Sequence, residues 1–177
     1  MNLETLLNQL PEYAKDNKIN LQNLINQQNP ILTSSQIFGC LLATAFATKN
    51  KKLIDCINNE VQNKFSELDI RAVKIACSLM AMNNVYYRFT HLSEDKEYSQ
   101  MQAGLRMRML LEHNIAKVDF EIFSLAVSVI NGCGTCIDAH ANQLLQHSLN
   151  KSQVQMVAKI ASVINAIAQI LTIEQME

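Results

Sequence analysis

Apolar residues recur with helical spacing along most of this chain, every three or four positions. The clearest stripe lies near the C-terminus and comprises Met156, Ile160, Val163, Ile164, Ile167, Ile170 and Leu171. A second stripe, formed by Leu53, Ile54, Ile57 and Val61, predicts a helix over 51–65. The segment 37–48 is apolar nearly all round, which predicts a buried helix. No segment with strand-like alternation competes, so the pattern predicts an all-α fold.

Residues with short polar side chains indicate where several helices begin, because they can cap the first free backbone N–H groups. The N-cap candidates are Thr33 or Ser34, Ser66, Asp119 and Ser152. From Ser66 we predict a helix through Met82, and from Asp119 a helix through Ile130.

Two stretches interrupt the regular pattern. Residues 83–108 combine aromatic and charged side chains with Gly104, and they predict loops and short helical pieces. Asn131 and Gly132 predict a break, since both residue types tolerate the left-handed conformation that ends helices. A new helix is then expected from near Cys133 to about Ser148.

A short internal echo occurs between the two halves of the chain. Residues 36–38 (Gln-Ile-Phe) and 121–123 (Glu-Ile-Phe) each open an apolar helix, and each is followed later by Ile-Asp, at 54–55 and at 137–138. This echo is consistent with a duplicated helix pair, although the matches are few enough for chance to explain them.

Length, composition and charge narrow the possible classes of protein. The 177 residues, with only four glycines and two prolines, suit one helical domain over 1–177. A net charge of −1 gives no basic surface for nucleic acid or an anionic membrane. The apolar stretch 154–173 is interrupted by Lys159, Asn165 and Gln169, so we expect no membrane span. The first residues include Glu4 and no apolar signal segment, and we therefore expect a cytoplasmic protein.

The chemical signal is a CxxC pair followed by a histidine: Cys133, Cys136 and His140. At the start of a helix, residues three and four apart are neighbours, so these three side chains share a face. The helix N-terminus favours a thiolate over a thiol, and the thiolate is the species that attacks peroxides and disulfides. A histidine nearby can take up or return a proton near neutral pH. The motif therefore predicts a redox site in the C-terminal half of the chain.

Other interpretations of these residues stay open at this stage. Cys133, Cys136 and His140 could bind zinc with Glu121 or water as the fourth ligand, as in a helical adaptor protein, although no second ligand pair is visible. His140 could also be an ordinary core histidine. His91 and His113 lie in polar segments without a partner pattern. The other cysteines, Cys40, Cys56 and Cys77, lie on apolar helices and are expected to be inert.

At this motif the chain resembles the alkyl hydroperoxidase AhpD family, within the wider carboxymuconolactone decarboxylase group. The family pattern is a glutamate, a spacer and CxxCxxxH, which matches Glu121, Cys133, Cys136 and His140. The resemblance extends over essentially the whole chain, and its other segments are 10–16, 42–45, 82–88, 104–107 and 120 onwards.

This resemblance implies an all-helical AhpD-like fold, a homotrimer and a peroxidase that acts on alkyl hydroperoxides. It also implies recycling of the peroxiredoxin AhpC, with electrons from dihydrolipoamide that dihydrolipoamide dehydrogenase renews, and with no tightly bound cofactor. The apolar segments 37–48 and 154–173 could supply the trimer interface. A decarboxylase-like reaction of the wider group is the alternative, which the two thiols disfavour because such chemistry does not need them.

The resemblance also implies a role for each site residue. Cys136 attacks the peroxide, Cys133 closes the disulfide, and Glu121 with His140 deprotonates Cys136. The helix-dipole argument by itself favours Cys133, which is nearer the helix start, as the more reactive thiol. Some family members have a histidine directly before the second cysteine, where this chain has Thr135. A threonine hydroxyl is no base at neutral pH, so assistance of disulfide closure from this position is not expected.

Overall fold

Within residues 1–28 and 30–176, which this computed structural model describes, the backbone forms nine α-helices and no β-strand. The predicted all-α class is therefore confirmed. The helices are α1 (Leu3–Asn8), α2 (Lys15–Ile25), α3 (Ser34–Thr48), α4 (Lys51–Val61), α5 (Glu67–Leu92), α6 (Glu97–Gln100), α7 (Lys117–Ile130), α8 (Gly134–Gln146) and α9 (Lys151–Ile173). Two short 3-10 turns, Glu12–Ala14 and Arg108–Leu111, lie between them.

Helices α3, α7 and α9 pack against one another and form the centre of the molecule. Helix α5 covers α3 and α7, and α8 packs on α7. The predicted apolar segments 37–48 and 154–173 thus lie in the core, which leaves little of their apolar surface for a trimer interface. The two helices that open the echo, α3 and α7, are direct neighbours, and a duplicated helix pair stays a prediction.

Helix α9 is long and apolar enough, by length and composition alone, to cross a membrane. Half of its most apolar stretch is buried in this structure, and α2, α3 and α7 pack against it. Its polar residues Lys159, Asn165 and Gln169 are exposed. The alternation of buried and exposed positions is that of a core helix with one face towards solvent.

The caps explain which helix starts were predictable. Thr33 and Ser66 cap α3 and α5, each in a reciprocal capping box with the residue three positions on. The other two candidates were wrong by two or three residues. Helix α7 begins after Ala116, so Asp119 lies in its first turn and accepts a hydrogen bond from Gln36. Helix α9 is capped by Asn150 instead of Ser152.

The prediction of loops over 83–108 was wrong for its first part, because α5 continues without interruption to Leu92. Two polar residues in this part of α5, Asn84 and Arg88, have partners inside the fold. Arg88 donates to the carbonyl of Asn131. Asn84 is fully buried, donates to Ser128 Oγ at 3.0 Å and accepts from Asn131 Nδ2 at 2.9 Å. From 93 onwards, short helical pieces and irregular backbone follow as predicted.

Gly39 in α3 allows close contact with α7, and we expect Gly39→Ala to destabilise the protein. An added Cβ would lie 2.0 Å from Cε1 of Phe123, a ring that is only 3% exposed. Overpacking of this kind costs about 1–3 kcal/mol, which exceeds the roughly 0.5–1 kcal/mol that alanine gains over glycine in a helix. Thermal unfolding followed by circular dichroism measures the effect. An unchanged or raised midpoint would contradict the close α3–α7 packing.

Candidate active site

A tight turn between α7 and α8 positions the cysteine pair. Gly132 has a φ of +64°, the left-handed conformation predicted for this break. Its N–H donates to the carbonyl of Val129, and the N–H of Cys133 donates to the carbonyl of Ser128. These bonds satisfy the last carbonyls of α7 and place Cys133 at the N-cap of α8.

Cys133 and Cys136 form a disulfide, with their Cα atoms 5.3 Å apart. The predicted pairing is therefore present in the structure. Cys133 Sγ also accepts a hydrogen bond from the backbone N–H of Cys136, at 3.3 Å. Cys133 is fully buried, whereas Cys136 is 6% exposed and borders a cavity. Of the two sulfurs, the one that a small molecule can approach from the cavity is that of Cys136.

Glu121 of α7 and His140 of α8 form a hydrogen-bonded pair beside the disulfide. The Oε2 atom of Glu121 lies 2.7 Å from Nδ1 of His140, and their side chains are only 14% and 15% exposed. His140 follows Cys136 by four residues, so both side chains lie on one face of α8. The four residues singled out in the sequence thus meet at the packed surface between α7 and α8.

The cavity beside these groups has a volume of about 860 Å³. Cys136, Glu121 and His140 contribute to one wall. Most of the remaining wall is apolar and is formed by Met80, Met107, Leu110, Leu111, Phe120 and Ala139. Pockets of this size with a few convergent polar groups are typical of small-molecule sites.

Several cavity residues were missed by the sequence analysis. His113 lies in a loop, as predicted, but it has a partner that no sequence pattern indicated: its ring stacks on Phe120 with centroids 4.2 Å apart and borders the cavity. Burial lowers the pKa of His113, against the opposing charge of Glu121. Met80 and Tyr87 reach the cavity from α5. No local signal in the sequence marks these residues, because only the packing of α5 on α8 brings them to the site.

Thr135, the residue at the position of the family histidine, is exposed and borders two cavities. One is the large cavity at Cys136. The other is smaller, about 400 Å³, and its wall includes Tyr86, His91 and Tyr98.

The three remaining cysteines lie away from the site. Burial raises the pKa of Cys40 well above its usual range, that of Cys56 to about 11 and that of Cys77 to about 12. Cys77 also donates its S–H to the carbonyl of Ala43. All three are therefore protonated at neutral pH, as expected of inert thiols.

The difference in access and protonation between Cys136 and the three remaining cysteines predicts selective labelling of the reduced protein. Iodoacetamide at pH 7.5 is expected to modify Cys136 and to leave Cys40, Cys56 and Cys77 largely unmodified, because only an accessible thiolate reacts quickly. Peptide mass spectrometry after timed quenching measures the modification at each site. Labelling of Cys77 at the rate of Cys136 would contradict the assignment.

The structure also bears on the alternative of a zinc site. Among residues 1–28 and 30–176, no group of three or more His, Cys, Asp or Glu side chains is arranged to hold a metal ion. The zinc interpretation therefore has no ligand cluster in the part of the chain that is described, where the two cysteines are joined to each other.

A family model and several full-length relatives match this chain, and these matches agree with one another. The model of the carboxymuconolactone decarboxylase family matches residues 96–174. The chain is 47% identical over 173 residues to the alkyl hydroperoxide reductase AhpD of Coxiella burnetii, which covers 97% of this chain and 98% of that protein. For the AhpD of Maricaulis maris the identity is 45%, over 98% and 99% of the two chains. For that of Koribacter versatilis it is 42%, over 99% and 90%.

Proposed function

Because this chain belongs to the alkyl hydroperoxide reductase AhpD family, we propose that it reduces alkyl hydroperoxides through a dithiol–disulfide cycle of Cys133 and Cys136. It is a peroxide-reducing oxidoreductase. The catalytic residues in this proposal are Cys133, Cys136, Glu121 and His140.

One observation carries the proposal: the Cys133–Cys136 disulfide borders a largely apolar cavity, beside the Glu121–His140 pair. An apolar cavity suits an organic hydroperoxide, whose alkyl part loses contact with water on binding. A histidine held by a carboxylate suits proton transfer from a thiol. A decarboxylation uses no second thiol, so the dithiol favours redox chemistry.

In the proposed cycle, His140 accepts the proton of the Cys136 thiol, directly or through a water molecule. The Cys136 thiolate attacks one peroxide oxygen, the O–O bond breaks, and the leaving alkoxide receives the proton from His140. Cys136 is then a sulfenic acid. The Cys133 thiol attacks the Cys136 sulfur, which forms the disulfide and releases water. The exposure of Cys136 and the full burial of Cys133 support this division of roles.

The disulfide must then be reduced by an external dithiol. We propose dihydrolipoyl groups as this reductant, renewed by dihydrolipoamide dehydrogenase, and an AhpC-type peroxiredoxin as a second acceptor of electrons. No tightly bound cofactor takes part. Reduction of this protein begins when a lipoyl thiolate attacks the Cys133–Cys136 disulfide, and reduction of AhpC begins when a thiolate of the reduced Cys133–Cys136 pair attacks the AhpC disulfide.

We also propose that the protein works as a cytoplasmic homotrimer. Exposed apolar side chains, including Leu92, Met101 and Leu111, offer surface for self-association. Light scattering after gel filtration measures the mass of the assembly. We expect the mass of three chains of 19.9 kDa each.

The activity is tested by NADH oxidation in a coupled assay that contains the protein, lipoamide, dihydrolipoamide dehydrogenase and cumene hydroperoxide. We expect NADH consumption that depends on both the protein and the hydroperoxide. Consumption only after AhpC is added would replace direct peroxide reduction by a role in AhpC recycling. No consumption with or without AhpC would contradict the proposal.

A further inference from the structure

The imidazole of His140 has two polar neighbours, one at each ring nitrogen. Nδ1 faces the Glu121 carboxylate at 2.7 Å, and Nε2 faces the Met80 sulfur at 3.1 Å. Met80 comes from α5, is 2% exposed and borders the large cavity together with Cys136. A methionine thus occupies the position of a hydrogen-bond partner for the proposed base.

The chemistry of these partners makes the contact depend on protonation. An ionised carboxylate only accepts hydrogen bonds, so beside ionised Glu121 the Nδ1 atom of His140 carries the ring hydrogen. In the neutral ring Nε2 then has a lone pair, and in the imidazolium it has a hydrogen. A thioether sulfur is an acceptor only. Met80 can therefore form a hydrogen bond with Nε2 only when His140 is protonated.

We propose that Met80 is a positioning residue that stabilises the imidazolium form of His140 after the proton has left Cys136. The inference rests on the proposed function. The proton passes from Cys136 Sγ to His140 Nε2, directly or through a water molecule, and the Met80 sulfur beside Nε2 then accepts a hydrogen bond from the new Nε2–H group. The thiolate is thereby free to attack the peroxide, and the same proton later passes to the leaving alkoxide, so no net charge or redox change falls on Met80.

The surrounding structure holds Met80 in this position. Asn84, one helical turn further along α5, lies with its amide nitrogen 3.9 Å from the Met80 sulfur. Asn84 is fully buried and is fixed by Ser128 and Asn131 of the segment that leads into Cys133. One polar network therefore joins the Met80 side chain to the turn that positions the cysteine pair.

Few charges near His140 compete with this effect. Helix α5 contributes Met80, Asn83 and Tyr87 to the cavity wall. The other titratable groups of this wall come from α7, α8 and the segment before α7, and they are Lys117, Glu121, Cys136 and His113. Lys117 is exposed and donates to Gln143, and burial lowers the pKa of His113, which favours its neutral form.

The test is a pH profile of Met80→Leu, a volume-conserving change that protein cores tolerate well. In the reduced protein, ultraviolet absorbance follows thiolate formation, and stopped-flow mixing with cumene hydroperoxide gives the rate of Cys136 oxidation. We expect the midpoint of thiolate formation to move to higher pH. The oxidation rate at pH 6.5 is expected to fall about threefold to tenfold, which corresponds to the net contribution of one hydrogen bond to stability. The loss of rate is expected to disappear at high pH, where Cys136 no longer needs His140 to take up its proton.

Met156→Leu is the matched control, because Met156 is an equally buried methionine that lies on α9 and outside the cavity wall. Its profile is expected to equal that of the unmodified protein. An unshifted midpoint in Met80→Leu, or an equal loss of rate at every pH, would overturn the inference, since packing alone does not titrate.

A second variant covers the case in which the leucine variant does not fold. Met80→Gln supplies a side-chain oxygen of similar reach that can accept the same hydrogen bond, and its midpoint is expected to stay at or below that of the unmodified protein. A midpoint well above it would contradict the role of an acceptor. The thiolate titration uses no peroxide, so it reports on Met80 even if the proposed peroxidase activity is not found.

Discussion

Cys136→Ser is expected to abolish peroxide turnover in the coupled assay, with a loss on the order of 10³-fold or more. A serine hydroxyl is not ionised at neutral pH, so it cannot replace the thiolate as the attacking group. The cavity position supports this assignment: Cys136 is the sulfur on the cavity wall, and Cys133 is fully buried behind it. The measurement is NADH oxidation at saturating lipoamide.

The companion variant Cys133→Ser distinguishes attack from resolution. It retains the Cys136 thiol, so we expect one rapid equivalent of peroxide to be consumed and then no further turnover, with Cys136 left as a sulfenic acid that a dimedone probe detects. The opposite pattern, a burst in Cys136→Ser and none in Cys133→Ser, would make Cys133 the attacking thiol. The hydrogen bond from the Cys136 N–H to Cys133 Sγ is the feature that would then explain its reactivity.

Cys77→Ser is the matched control for these variants. The Cys77 side chain donates to the carbonyl of Ala43, a bond that a serine hydroxyl can also make. The side chain lies outside both cavity walls that include Thr135. Turnover is expected to equal that of the unmodified protein. A large loss in this control would show that cysteine replacement disturbs the fold, and the effect at Cys136 would then need a second variant.

The helices were predictable from sequence where local signals agreed with one another. In α3, an apolar segment follows a threonine whose side chain and that of Gln36 form a capping box, and the predicted start was confirmed. At α9 the stripe was right and the cap was wrong, since Asn150 and Ser152 are equally plausible caps and only the folded chain selects between them. Helix ends are commonly uncertain by such amounts.

The length of α5 could not be predicted, for a tertiary reason. Two consecutive asparagines at 83 and 84 favour a loop by themselves, because their amides compete with helical hydrogen bonds. In the folded chain the Asn84 amide is occupied by Ser128 and Asn131, which are more than forty residues away. The preference of the local sequence is therefore overridden by partners that the sequence pattern does not reveal.

The site residues differ in the same way: some could be predicted from local sequence, and others are brought to the site only by the packing of helices. Cys133, Cys136 and His140 lie within one helical segment, so their spacing alone brought them together on one face. Glu121 was placed at the site by resemblance to the family, and its contact with His140 depends on the packing of α7 on α8. Met80 and His113 arrive from other parts of the chain and had no distinguishing pattern.

Glu121→Gln is expected to slow Cys136 oxidation by about 10²-fold or more at pH 6.5. This value is at the lower end of the rate effects that general acid–base catalysis usually contributes. Gln is nearly isosteric with Glu, so the α7–α8 packing remains, but the negative charge that favours protonated His140 is gone. The Cys136 thiol then loses its proton only as the pH is raised, without the help of His140. We therefore expect the defect to shrink as pH rises, with an unchanged KM for the hydroperoxide. Stopped-flow rates from pH 6 to 10 measure it.

The control for this variant is Asp119→Asn, which removes a carboxylate from the same helix two residues earlier, where it accepts from Gln36 and does not face His140. An equal loss in both variants would mean that the total charge of α7 matters instead of the His140 contact. A pH-independent loss in Glu121→Gln would assign Glu121 to packing alone.

The double variant of Glu121→Gln with Met80→Leu tests whether Glu121 and Met80 act through the same group. Both side chains act through the imidazolium of His140, so the loss in the double variant is expected to be smaller than the product of the two single losses. Strict multiplicativity would mean that Glu121 and Met80 act through different groups.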